Sequence, residues 1–99
     1  MSSLVLYQPF YDSKVTPKNK KYSVYIKDGK KIKVIHFGDR SMEHYYDSTS
    51  VGRWSHLNHL DPERRRLYRA RASGIKDKAG NLTYLNKNSP NYWSYHYLW

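Results

Sequence analysis

The chain has 99 residues, no cysteine, and eighteen lysines and arginines against eight aspartates and glutamates, a formal net charge of +10. That length suits one domain with a small core, and the missing cysteines exclude a disulfide framework and any cysteine-based metal site. So positive a field implies an anionic partner, whether nucleic acid, a membrane surface or an acidic protein.

Residues 1–21 read as an arm. The opening LVLYQPFY is apolar and aromatic and is broken by Pro9. The rest is polar, with Thr16-Pro17 and the cluster Lys18, Lys20 and Lys21. MSSLVLYQPF lacks the charged n-region and apolar run expected of a signal peptide. No stretch approaches the roughly 20 apolar residues of a spanning helix. Two readings of the arm stand side by side. It is either a flexible basic terminus or a segment whose Leu4, Leu6, Tyr7, Phe10 and Tyr11 dock on another subunit, apart from the domain that follows.

Residues 22–99 read as that domain. Tyr22, Val24 and Ile26 alternate with Ser23, Tyr25 and Lys27, and Asp28-Gly29 is a favoured hairpin turn. The return strand runs to Phe37, with Ile32, Val34 and His36 opposite in phase to Lys31, Lys33 and Ile35, and Gly38-Asp39 closes it. Lys27, Lys30, Lys31 and Lys33 make the tip and one face positive. Ser41 to Tyr46 fits a short helix, and Asp47 to Gly52 a polar loop.

Leu60 to Ala72 carries the clearest helix signals in the chain. Asp61 can cap the free amides of the first turn, Pro62 occupies the first helical position, and Glu63 favours the positive helix end. Gly74 is a stop. At about 100° per residue, Leu67, Tyr68, Arg64 and Arg71 share one face. That leaves Arg65, Arg66 and Arg69 for solvent or a polyanion. Arginines on an inner face must pair or snorkel, so Arg64 and Arg71 are expected in structural ion pairs with Asp39, Glu43 or Asp47. Further on, Ala79-Gly80-Asn81 suggests a second short hairpin within Ile75 to Tyr84. Ser89-Pro90 repeats the cap-plus-proline signal before the aromatic run Tyr92 to Trp99, for which an alternating strand is the alternative.

Catalytic and metal patterns are absent. His56 and His59 with His44 or Asp61 would be needed for zinc, and their spacing matches no common ligand set. A nuclease using His56 or His59 as base, with Asp39, Glu43 or Asp61 on a metal, has carboxylates too few and too scattered. No nucleophile elbow or phosphate-binding glycine loop occurs. No enzyme activity, metal or cofactor is therefore expected. Eleven tyrosines and three tryptophans, interleaved with cations, instead fit a binding surface. Phosphate contacts through Lys30, Lys31, Lys33, Arg65, Arg66 and Arg69 are the expected mode, with no code for reading bases. A membrane-surface role is weaker, because the main helix has no broad apolar face.

The spaced pattern HFGD (His36 to Asp39), Met42, Tyr45, Ser55-His56, His59, DPERRRLYRAR (Asp61 to Arg71), SPNYW (Ser89 to Trp93) and YLW (Tyr97 to Trp99) resembles a family of short, basic, functionally uncharacterised proteins. These are encoded by large DNA viruses of protists and algae and by some tailed phages. The likeness spans about residues 22–99 and leaves the arm outside it. Similar sequences tend to end the arginine-rich centre in Arg-His, where this chain has Ala72. The resemblance implies a viral protein carried in the virion, made in the host cytoplasm or virus factory, with capsid or other virion proteins as partners. The expected fold is α+β: an N-terminal hairpin, a central basic helix, a short second hairpin and an aromatic C-terminal helix. The expected role is a minor capsid or cement component, with a genome-condensing protein that binds viral DNA through its phosphates as the alternative.

Overall fold

The computed structural model describes residues 5–99 and is α+β. Strand β1 (Lys20–Asp28) pairs antiparallel with β2 (Lys31–Asp39). Helix α1 (Pro62–Ala72) and helix α2 (Pro90–Tyr97) follow, with single 3-10 turns at Ser55–Leu57 and Thr83–Leu85. Asp28 pairs with Lys31, so Gly29 and Lys30 form the two-residue turn. Gly29 adopts φ +64°, the left-handed conformation such turns require.

The register sets Tyr22 opposite Phe37 and Val24 opposite Ile35. One face of the hairpin therefore carries Tyr22, Val24, Ile26, Ile35 and Phe37, all buried. Helix α2 closes this face with Trp93 and Leu98. Ser89 caps α2 by accepting from the amide of Asn91, and Pro90 takes the first position. Helix, not strand, is the form of the aromatic run, because the cap supplies a start and Trp93, Tyr97 and Leu98 then fall on one side.

The arm does not lie apart from the hairpin as expected. Ser23 and Phe10 exchange both main-chain hydrogen bonds at 2.8 Å, and the amide of Tyr7 donates to Tyr25 O at 2.8 Å. The Phe10 ring stacks on Tyr25 with centroids 5.0 Å apart, and Thr16 is buried against Ser23 with their hydroxyls 2.8 Å apart. The physical reason is that an outer strand edge leaves its main-chain groups unpaired, and the arm satisfies those of β1.

Two further expectations are corrected. Ser41 to Tyr46 is not helical. His44 bridges to Asn58, and the amides of Tyr45 and Tyr46 both donate to Leu98 O, which draws the segment out along the C-terminal end of the core. The second hairpin reduces to one bridge, Lys76 with Leu82. Its turn is held by Asp77, whose side chain accepts from the amides of Ala79 and Asn81.

Candidate functional site

The open end of the hairpin, the Met42–Glu43 segment, α1 and α2 enclose a cleft of about 510 Å³. Its lining includes the buried Phe37 and Leu98 together with Leu67, Tyr68 and Trp99. Its rim carries Lys20, Arg64 and Arg71 against Asp39 and Glu43. Of the residues expected in structural ion pairs, Arg64, Arg71, Asp39 and Glu43 meet at this one cleft and Asp47 does not, and only one pair forms among them. Arg64 contacts Glu43 at 3.0 Å with both side chains half exposed. Asp39 instead accepts from the amide and hydroxyl of Ser41, and these bonds hold its carboxyl below the usual range. Arg71 makes no ion pair among the described residues and stays exposed at the rim.

Under the cleft lies a buried polar chain that the sequence reading missed. Lys21 is 1% exposed. Its Nζ donates to Met42 O at 2.8 Å and to His44 Nδ1 at 2.7 Å. With Nδ1 accepting, His44 carries its proton on Nε2 and donates to Asn58 Oδ1 at 2.6 Å. Asn58 Oδ1 also accepts from the amide of Asp47. Asp47 in turn accepts from the Tyr22 hydroxyl and from the amides of Thr49 and Trp54. Burial lowers the Lys21 ammonium to about 8, against the pull of Asp39 and Asp47. Burial and the neighbouring Lys21 also push His44 down. Burial and the bond to Asp47 raise Tyr22 to about 12. Gly38 makes room for this packing, since a Cβ there would meet Lys21 Cβ at 2.9 Å and Leu98 Cδ1 at 3.1 Å, at φ +80°. The available signal was Lys21 standing in phase with Ser23 on a strand.

The arginine assignment on α1 is reversed by the structure. Arg65, Tyr68, Arg69 and Ala72 form the packed face. Tyr68 stacks on Trp99 with centroids 4.2 Å apart and planes within 9°. Arg65 Nε donates to Trp99 O at 2.7 Å, and its guanidinium lies 4.6 Å from the Tyr45 ring centroid. Arg69 lies 4.4 Å from the Tyr95 centroid. Leu67, expected on the inner face, is 53% exposed. The reason is that guanidinium planes stack on aromatic rings and bond main-chain oxygen, so a core walled by rings accepts arginine where an aliphatic core would not. Arg66 does face solvent and pairs with Glu63.

The hairpin lysines stand elsewhere. Lys30 and Lys31 are exposed at the tip, and Lys33 contacts Asp28 at 2.8 Å. At the rise of a β-strand, the tip is about 27 Å from the base that lines the cleft. The tip lysines and the α1 arginines are therefore separate surfaces and not one patch. A third cationic cluster lies where the arm meets the loops. Arg53 sits 4.1 Å from the Tyr11 centroid, and Arg40 sits 5.0 Å from that of Trp54. Of the residues expected to dock on a partner, Tyr7, Phe10 and Tyr11 contact the domain itself, Leu6 bridges to Tyr25, and Leu4 lies outside the described residues.

All eight carboxylates are committed. Asp12, Asp39, Asp47, Asp61 and Asp77 accept main-chain amides in turns and at the α1 cap. Asp28, Glu43 and Glu63 make the three ion pairs found among the described residues. The histidines are dispersed as well. His59 Nδ1 accepts from the amide of Asp61, leaving a buried Nε2 without a partner beside the Trp99 ring. His56 is exposed next to Trp54. No group of three metal-ligating side chains gathers among the described residues. No helix of the described residues is long and apolar enough to cross a membrane. No family model, curated protein or solved structure matches the chain.

Proposed function

We propose that this protein is a non-enzymatic structural component of a virus particle that holds an anionic partner through unneutralised cations at the hairpin tip, the cleft rim and the arm–loop junction. The observation that carries the anionic partner is the use made of the carboxylates. Only three of eighteen lysines and arginines meet one among the described residues, because the other acids hold turns. Most of the positive charge is therefore left to an external partner. The placement in a virion, as a minor capsid or cement component, rests on the family resemblance of residues 22–99.

The stack of Arg53 on Tyr11 beside Trp54 and Arg40 favours a second reading. Rings and guanidinium planes of this kind also serve as platforms for bases, as a genome-condensing protein would need. Duplex DNA titrations across a salt series test the shared element. Affinity should fall with salt at a slope near 0.9 for each phosphate engaged, and replacing Lys30, Lys31 and Arg71 together with glutamine should flatten it. Binding that ignores salt overturns the polyanion reading. Recovery of the protein with emptied particles supports the structural role, and its loss with the released genome supports the condensing one.

A further inference from the structure

The two outer edges of the hairpin are treated differently. In an antiparallel pair, residues opposite one another at a non-bonded position turn their main-chain groups away from each other. On β1 these outward residues include Ser23, Tyr25 and Lys27, and all three are engaged. Ser23 bonds Phe10, Tyr25 O accepts from Tyr7, and the amide and carbonyl of Lys27 meet the Tyr7 hydroxyl. Their register partners on β2 are His36, Val34 and Ile32. The main-chain groups these turn outward meet no other segment among the described residues. Ile32 is 52% exposed and Val34 40%. One sheet edge is thus covered and the other is open, beside a half-exposed aliphatic strip.

We infer that the outer edge of β2, from Ile32 to His36, receives an extended segment of an acidic protein as a third strand. The inference rests on the proposed anionic partner and specifies its form. An added strand would bond the outward amides and carbonyls of Ile32, Val34 and His36. Side chains alternate across a strand, so the residues opposite these three share their face and meet Ile32 and Val34. The intervening residues lie on the face of Lys31 and Lys33. The matching sequence alternates β-branched apolar residues with glutamate or aspartate. Lys31 is free of an ion pair among the described residues, and Lys33 holds only the exposed contact to Asp28, which a better-placed carboxylate can displace. A second copy is the poorer occupant, since each copy brings a charge of +10, and lysines at an edge discourage pairing between like strands.

The probe is an eight-residue peptide of alternating valine and glutamate, compared with the same peptide N-methylated at its valines. Methylation leaves the charge intact but removes the amides that would face β2. The unmodified peptide should bind the full chain at least tenfold more tightly than the methylated one. Val34→Pro deletes one outward donor without touching the β1 ladder, and it should weaken the unmodified peptide by a similar factor while leaving duplex DNA binding unchanged. Equal binding of both peptides by the unaltered chain overturns strand addition and leaves charge attraction standing. Failure of both peptides with DNA still bound does the same. Failure of peptides and DNA alike removes the polyanion reading beneath it. A dimer in sedimentation that Val34→Pro dissociates overturns the acidic occupant in favour of a second copy.

Discussion

The buried ammonium of Lys21 makes a stability prediction whose sign is fixed by its surroundings. Burial moves its value from an ordinary 10.5 to about 8. Between those limits the unfolded chain keeps a proton that the folded chain has released. Unfolding then takes up protons, and stability rises with pH through this window. Below pH 8 both states are charged and the full burial penalty of roughly 3 kcal/mol stands. Above pH 10 the trend reverses, because Tyr22, held near 12 by burial and Asp47, keeps a proton that the unfolded chain loses. Urea unfolding at intervals from pH 7 to 11 should show stability climbing to a maximum near pH 10. Lys21→Met keeps the apolar stem and removes the titration. The difference between the two proteins should shift by roughly 2–3 kcal/mol from pH 7 to 10, whatever the change in net charge does to both. Parallel profiles would show that Lys21 is not desolvated in the folded state, and the buried chain from Lys21 to Asp47 would have to be redrawn.

Other perturbations separate the residues by role. Arg65→Gln should cost about 1–2 kcal/mol in urea unfolding by loosening the main-chain oxygen of Trp99 and the Tyr45 stack, whereas Arg66→Gln, which loses only an exposed pair, should change stability by less than about 0.5 kcal/mol. Asp61→Ala should cost about 1 kcal/mol, read as a lowered Tm, because two first-turn amides lose their acceptor. Phe10→Ala should cost about 2 kcal/mol and expose the Ser23 amide to hydrogen exchange, while an unchanged exchange rate would mean that the arm does not cover β1.

What the sequence made legible is what local chemistry decides. Asp28-Gly29 marked the hairpin turn by its backbone preference, although the loop is Gly29-Lys30 and Asp28 is the last paired residue of β1. Asp61-Pro62 and Ser89-Pro90 fixed two helix starts by supplying an acceptor and a residue that needs no amide partner. What stayed hidden depends on neighbours distant in the chain. The inner face of α1 could not be read from hydrophobicity, because its partners are the rings of Tyr45, Tyr95 and Trp99, which favour Arg65 and Arg69 over Leu67. Lys21 looked like one member of a solvated lysine cluster, and only the fold brings Met42 O and His44 to its ammonium. The arm is neither a free terminus nor a segment apart from the hairpin, since Phe10 and Tyr7 bond β1. Its place on β1 depended on which strand edge lacked a partner, and hydrophobicity does not encode that.

The same economy links the fold to the binding role proposed for it. Five of the eight acids are tied to main-chain amides. These are positions where a carboxylate stabilises a turn or a helix start more than an exposed ion pair would. A chain that uses its acids in this way holds its loops in shape and at the same time leaves most of its cations without a carboxylate partner among the described residues. Three groups of these cations stand at places set by architecture: the turn of a long hairpin, the cleft rim at its base, and the arm–loop junction. With tip and base about 27 Å apart along the strands, no small compact anion reaches both. A partner that neutralises both ends must itself be extended, and the β2 edge runs between them with its outward main-chain groups open from Ile32 to His36.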